Sequence, residues 1–190
     1  MRAFIAIELP REIKDYLKQL QDKLKTAGLD LKLVEPVNIH LTLKFLGEIN
    51  EQQTEKIIKA MENVSDTKPA FKISLGNLGV FPKITSPRII WIGIDVGASE
   101  TIQIAKELEE KISLFGIPRE EKRFSAHITI ARIKSAINIE GLVQNLKHLT
   151  GQKQKAELGF QATRISLIKS TLTPKGPLYE TLKEVSLKTN

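Results

Sequence analysis

Residues 38–47 read NIHLTLKFLG and residues 125–133 read SAHITIARI, and these two stretches decide the fold. Each places a His, one apolar residue and a Thr inside an alternating run of apolar and polar residues. That alternation is typical of a half-buried β-strand. The same His-x-Thr unit in two strands of a small protein indicates either an internal duplication or a site that needs both copies.

The spacing between the two units indicates an internal duplication. His127 follows His40 by 87 positions (127 − 40 = 87), and the same shift, without a gap, places Phe4 on Trp91. Neighbouring apolar positions also coincide, and repetition at a fixed period is the signature of repeated structural units. We therefore predict one domain over residues 1–190, with approximate repeats at 1–87 and 88–175.

Hydrophobic periodicity and turn residues predict the secondary structure of both repeats. Helices are expected at 10–28, where Pro10 opens and Gly28 closes the pattern, at 51–64, at 99–116 and around 139–149. Strands are expected at 2–9, 31–34, 40–45, 70–82, 87–96, 127–133, 157–170 and 176–187. This order predicts an α+β fold with two pseudo-symmetric lobes, whose antiparallel-rich sheets flank a central cleft and carry their helices on the outside.

Composition and charge limit the class of protein. The chain has 190 residues, 41% hydrophobic and 27% charged, which is the balance of a globular domain. There is no cysteine, so disulfides and thiolate metal sites are excluded, and a cytoplasmic location is expected. An acidic residue and a Pro soon break the apolar N-terminal run, so neither a signal peptide nor a membrane span is expected. A net charge of +7 permits a polyanionic partner such as nucleic acid, although solubility alone explains it equally well.

Strand alternation sorts the motif side chains onto two faces. His40, Thr42 and Lys44 should share one face of the first motif strand, and His127 and Thr129 one face of the second. Lys44 is expected to be exposed to solvent. The opposite, aliphatic face should enter the core, and we expect Phe45 and Trp91 to be core residues.

Two imidazoles and two hydroxyls across one cleft suit phosphodiester cleavage without a metal. A neutral imidazole can accept a proton from the attacking group while a charged one protonates the leaving oxygen. The two Thr hydroxyls can stabilise charge on the phosphate oxygens. No acidic residue accompanies either His, and neither Cys nor a His-x-x-x-His pair is present, so a metal is not expected. The chain also lacks a Gly-rich nucleotide loop.

Several motifs give the chain a family resemblance. MRAFIAIELP, EPVNIHLTLKFLGEI, LGVFP, RIIWIGI, HITIAR and KGPLYETL resemble the bacterial and archaeal 2′-5′ RNA ligase family, which consists of RNA 2′,3′-cyclic phosphodiesterases within the two-histidine phosphoesterases. The resemblance covers nearly the whole chain. Ala126 stands where the family usually has Pro before its second motif His, which alters the strand's entry rather than the chemistry.

The resemblance implies a function and a set of site residues. The substrate would be an RNA end bearing a 2′,3′-cyclic phosphate, opened to a 2′-phosphate and a free 3′-OH by a monomer that needs no cofactor. His40 would be the general acid and His127 the general base, although the symmetry of the repeats leaves these roles interchangeable. Thr42 and Thr129 would hold phosphate oxygens. Arg132 would help to hold the substrate, which requires a bulge or strand end because alternation places it opposite His127.

Two alternatives for the function, one enzymatic and one not, and the place of Tyr179 stay open at this stage. The same cleft could act on a small cyclic phosphate or join RNA through a reversible 2′-5′ ligation, or it could bind RNA ends without turnover. Tyr179 either lines the cleft or packs in the interior. His148, near the end of a predicted helix, is expected to be structural.

Overall fold

The computed structural model describes residues 1–26, 30–135, 141, 158–174 and 176–189. Its helices are α1 (Arg11–Thr26), α2 (Glu51–Ser65) and α3 (Ala98–Ser113). Its strands are β1 (Arg2–Glu8), β2 (Leu31–Leu33), β3 (His40–Glu48), β4 (Phe71–Lys83), β5 (Ser86–Ile94), β6 (His127–Ile133), β7 (Gly159–Ala162), β8 (Arg164–Thr173) and β9 (Gly176–Ser186). These elements follow the predicted order, except that the one strand expected at 157–170 is two strands, β7 and β8, which belong to different sheets. The helix expected around 139–149 lies outside the described residues apart from Gly141, as do Gly28 and His148.

The strands form two antiparallel sheets of similar construction. One sheet has the order β3-β1-β8-β9 and the other the order β2-β6-β5-β4-β7. A shift of 87 residues carries β3 onto β6 and β1 onto β5, and it carries β4 onto the segment that contains β8. The triple β3-β1-β8 therefore corresponds to β6-β5-β4, and the predicted α+β fold with two similar lobes is confirmed.

The helices pack on one face of the sheets and interlock the two halves. The apolar stripe of α1 is buried, with Leu17 and Leu24 inaccessible to solvent. α1 contacts β6 of the second half, and α3 contacts β3 of the first half. Each motif strand is thus supported by a helix from the other repeat. Among the described residues, no helix has the length and apolarity needed to cross a bilayer.

Candidate active site

The two motif strands adjoin where the sheets meet. Cα atoms of β3 and β6 approach within 8 Å of one another. His40 opens β3 and pairs with Glu8 of β1, and His127 opens β6 and pairs with Gly93 of β5. The two histidines therefore occupy equivalent positions on equivalent strands. We call the sheet surface that carries them, on the side away from the helices, the histidine face.

The backbone fixes the same tautomer in both imidazoles. Nδ1 of His40 lies 2.7 Å from the carbonyl oxygen of Asn38, and Nδ1 of His127 lies 2.7 Å from that of Ser125. Since a carbonyl only accepts hydrogen bonds, Nδ1 is the donor in each pair. In the neutral form, Nε2 of each ring then carries the lone pair. Both histidines are thus prepared to accept a proton at Nε2 or, once charged, to donate one from it.

Aromatic rings flank both imidazoles. The ring centroid of His40 lies 4.6 Å from that of Phe4, in a stacked arrangement, and 5.5 Å from that of Tyr179. The ring of His127 lies 5.0 Å from Phe81 and 6.1 Å from Trp91, both edge-on. Rings packed this closely restrict rotation of the imidazoles and partly exclude water from them. The site therefore holds both histidines in defined orientations before any ligand binds.

Burial lowers the pKa of His40 below the usual histidine value of 6.5. The nearby charge of Lys14 acts in the same direction, because a second cation disfavours protonation. Two effects oppose the shift in the pKa of His40: the hydrogen bond to Asn38 and the carboxylate of Glu8, which lies opposite His40 on β1. Desolvation is the largest of these effects. The ring of His40 is therefore neutral at pH 7 in the free protein.

The threonines predicted for the site share the histidine face. Thr42 pairs with Ala6 of β1, and Thr129 pairs with Trp91 of β5. Both are half-buried. Within the part of the chain that the structure describes, neither hydroxyl makes a hydrogen bond. Each hydroxyl is thus free to donate to an oxygen of a bound phosphate.

A β-bulge interrupts each motif strand just after its Thr. Leu43 has no partner in the register between β1 and β3, where Ile5 pairs with Lys44 and Ala6 with Thr42. Ile130 likewise has no partner in the register between β5 and β6. These two bulged residues lie 87 positions apart, so the bulge is itself part of the repeat. An extra residue reverses the faces of the side chains that follow it, up to the next irregularity in the strand.

The first bulge overturns two predictions. Lys44 is not exposed: its side chain is 0% accessible and turns toward α3, where Nζ lies 2.8 Å from Glu109. Phe45 is not in the core: it is 59% exposed, and its ring lies 6.3 Å from Phe4 on the histidine face. Both predictions assumed uninterrupted alternation. The bulge at Leu43 exchanges the faces of these two side chains.

The second bulge places Arg132 on the histidine face, as its predicted role required. Arg132 occupies the position equivalent to Phe45 and is exposed. It makes no salt bridge to any of the residues described. The bulge itself is held from α1, because Nε2 of the buried Gln21 donates to the carbonyl oxygens of Ile130, at 2.8 Å, and Val34, at 2.7 Å.

Trp91 is not a core residue, contrary to prediction. It alternates with Ile90 and Ile92, which are fully buried, and so lies on the histidine face beside His127. Its indole covers Gly79 on β4, where an added Cβ would lie 2.8 Å from Cε2 of the ring and closer still to Cζ2 and Cη2. A glycine at this position is therefore needed for the indole to lie where it does.

Comparison with known proteins identifies the family. A model of the LigT like Phosphoesterase family matches the chain twice, at residues 7–91 and 92–179. The chain belongs to the LigT-like phosphoesterase family. Among its relatives, an RNA 2′,3′-cyclic phosphodiesterase of Methanocaldococcus jannaschii is 38% identical over 97% of this chain and 99% of the relative. Another of that name, from Aquifex aeolicus, is 36% identical over 98% and 97%.

Solved structures of LigT-like phosphoesterases share this fold. A crystal structure of a Thermus thermophilus protein matches with a TM-score of 0.81 and 27% identity, and covers 98% of each chain. The apo structure of LigT from E. coli matches with a TM-score of 0.78, covering 98% of this chain and 96% of that one. At 24% identity, the second comparison bears on the fold alone.

Two residues near His40 in this LigT-like phosphoesterase were not predicted from the sequence to belong to the site. Glu8 lies directly across from the imidazole, and Phe45 lies further along the same face. The repeat contained a signal for Phe45, since a shift of 87 places it on Arg132, whose predicted role already required a bulge. The sequence left open whether Tyr179 lines the cleft or packs in the interior. In the structure, it is half-buried and its ring contacts those of Phe4 and His40, so it lies at the site.

Proposed function

We propose that this chain hydrolyses RNA ends bearing a 2′,3′-cyclic phosphate to a 2′-phosphomonoester and a free 3′-OH. One observation carries the proposal. His40 and His127 occupy equivalent positions, and each donates a hydrogen bond from Nδ1 to the carbonyl two residues before it, so that Nε2 carries the lone pair of the neutral ring. Two imidazoles prepared in this way supply the base and the acid that hydrolysis of a cyclic diester needs. The names of the relatives support the substrate.

In the proposed reaction, one imidazole accepts a proton from water as the oxygen attacks phosphorus. The bond from phosphorus to O3′ breaks, and the other imidazole donates its Nε2 proton to the departing oxygen. Family resemblance assigns the acid to His40 and the base to His127. Because burial lowers the pKa of His40, this assignment requires the ring to gain its proton as the anionic phosphate binds beside it.

The roles of the two histidines can be separated by changing the leaving group. A cyclic substrate with sulfur in place of the bridging O3′ releases a thiolate, which needs no protonation. If His40 is the acid, His40→Gln should regain much of its lost activity on the sulfur substrate while His127→Gln does not. Rescue of His127→Gln instead would reverse the assignment and leave the paired mechanism intact.

The remaining residues on the histidine face would bind the substrate. Thr42 and Thr129, whose hydroxyls make no hydrogen bond to any described residue, would donate to the non-bridging oxygens as negative charge gathers there. Arg132 would hold the RNA by charge. Both histidines and both threonines come from one chain, which supports our proposal that a monomer suffices. We also propose that no metal takes part, because two imidazoles can supply both the base and the acid. A chain without cysteine also suits the reducing cytoplasm, where we propose that it acts.

The test of the function is product analysis in the presence of EDTA. We expect a short oligoribonucleotide with a 2′,3′-cyclic phosphate to give a terminal 2′-phosphate, identified by ³¹P NMR and by its resistance to a 3′-specific phosphatase. A 3′-phosphate product, or a requirement for added metal, would contradict the proposal. Tight binding without product would instead show an RNA-end-binding module.

A further inference from the structure

Three polar groups converge at one end of the histidine face. Arg2 lies on β1, two residues before Phe4 and therefore on the same face of the strand. Tyr179 lies on β9, paired with Ser170 of β8, and its ring lies 5.0 Å from that of Phe4. Arg132 lies on β6 of the other sheet, on the histidine face, and its charge acts on the phenol of Tyr179. The group thus draws one residue from each of three strands and spans both lobes.

Neither guanidinium in this group is neutralised by the described part of the chain. Arg2 makes no salt bridge there, and Glu48, its cross-strand neighbour, instead directs its carboxylate to the amino group of Met1 at 3.3 Å. Arg132 lies across from Lys32 of β2, another cation that has no acidic partner among the described residues. Positive charge left unpaired beside a site is suited to an anionic ligand.

The hydroxyl of Tyr179 adds a hydrogen-bond donor to this group. Burial raises the pKa of Tyr179 above 10.0, while the charges of Arg132 and Arg2 oppose the shift, so both guanidiniums act on this phenol. The hydroxyl is therefore protonated at neutral pH. It has no hydrogen-bond partner among the described residues. Within the described residues, the Tyr179 hydroxyl therefore has no hydrogen-bond partner, and the guanidiniums of Arg2 and Arg132 have no salt-bridge partner.

We propose that Arg2, Tyr179 and Arg132 form a second anion site, which binds the phosphodiester on the 5′ side of the terminal nucleotide. The site lies beside the reacting phosphate because the ring of Tyr179 contacts that of His40, with centroids 5.5 Å apart. Guanidinium forks are the groups best matched to phosphate oxygens. This inference rests on the proposed function, and it makes the enzyme selective for RNA chains over cyclic mononucleotides.

The test compares Arg2→Gln with wild type on two substrates. One is a dinucleotide ending in a 2′,3′-cyclic phosphate, and the other is the corresponding cyclic mononucleotide, which has no 5′ phosphodiester. We expect the ratio of kcat/KM, dinucleotide over mononucleotide, to fall about tenfold, the usual effect of losing one charged hydrogen bond. The dependence of log kcat/KM on log salt for the dinucleotide should become shallower by about 0.7, the value for one single-strand phosphate contact.

Matched variants separate this effect from general loss of charge. Arg11→Gln removes the same charge from a side chain that is 92% exposed on α1, and it should leave the substrate ratio unchanged. Arg2→Lys should restore part of the ratio. An equal loss on both substrates, or no loss on either, would overturn the second site. Failure of wild type to cleave either substrate would instead overturn the proposed function.

Discussion

The imidazole of His40 stacks on the ring of Phe4, with the centroids 4.6 Å apart and the planes inclined by 24°. Phe4 is itself almost completely buried, at 3% exposure. The contact fixes the plane of the imidazole and removes water from one side of it. The first predicted catalytic group is thus part of a packed aromatic cluster, and its titration is coupled to that packing.

His40 should titrate below the value of a free histidine, about 6.5, in the ligand-free protein. Desolvation is the main cause, so Phe4→Leu, which loosens the stack, should move the pKa of His40 back toward that value. As the pH drops below about 6.5, His40 is protonated in the unfolded chain before it is protonated in the folded protein. The contribution of His40 to the free energy of unfolding therefore falls from about pH 6.5 down to the pKa of His40 in the folded protein. NMR titration of the Hε1 signal measures the shift, and His40→Gln should flatten the stability profile in this range. A titration above 6.5 in the free protein would contradict the assignment of burial as the dominant effect.

The threonines of the motif should act on rate and hardly on stability. Thr42→Val and Thr129→Val keep the shape of a β-branched side chain but remove a hydroxyl that makes no hydrogen bond in the described structure. Each change should lower kcat about 10²-fold, as expected for one donor to a developing anion. Thr171→Val, on an exposed position of β8, is the control and should leave kcat unchanged. Wild-type kcat in both motif variants would exclude the hydroxyls from the reaction.

Gly79 should matter through Trp91. In Gly79→Ala, the new Cβ displaces the indole from its place beside His127, and kcat should fall about 10- to 100-fold, the cost of a misplacement of this size. Trp91→Phe removes Cζ2 and Cη2, the atoms that Cβ would meet most closely. The effect of Gly79→Ala should therefore largely disappear in that background. Trp91 is the single tryptophan of the chain, so its fluorescence reports the displacement directly. Equal effects of Gly79→Ala in both backgrounds would contradict this account.

The buried ion pair between Lys44 and Glu109 should contribute to stability. Lys44→Met leaves a carboxylate whose side chain is only 23% exposed and which has lost its 2.8 Å partner. We expect a loss of about 3 kcal/mol in the free energy of unfolding, the lower end for a broken buried pair. Lys106→Met is the control, since that side chain is 74% exposed and its ion pair measures 4.0 Å. Its cost should be below about 0.5 kcal/mol. Similar losses in urea denaturation for both variants would contradict a specific role for the buried pair.

The overall fold and the pairing of the two His-x-Thr units could be predicted from the sequence because both follow from regular spacings of residues along the chain. Alternation indicated the strands, helical spacing indicated the helices, and the shift of 87 residues joined His40 to His127. The sheet orders confirm that the halves are alike. These features depend on patterns that many residues share, and a local irregularity does not erase them.

The faces of the later motif residues could not be predicted in the same way. A single unpaired residue, Leu43, inverts the side chains directly after it, so Lys44 enters the interior and Phe45 leaves it. Alternation also does not say which face of β5 meets the helices, which is why Trp91 was wrongly expected in the core. Apolarity is a poor guide where an aromatic ring packs beside a proposed catalytic histidine, as Trp91 does beside His127, rather than in the core.

The most direct test of the central claim is the pH dependence of hydrolysis for wild type, His40→Gln and His127→Gln. The substrate is an oligoribonucleotide ending in a 2′,3′-cyclic phosphate, with EDTA present. We predict a bell-shaped profile of kcat/KM for wild type. Each variant should lose about 10²- to 10⁴-fold in rate, together with one limb of the bell. Turnover that survives both substitutions with an unchanged profile would show that the two histidines are not the acid and base.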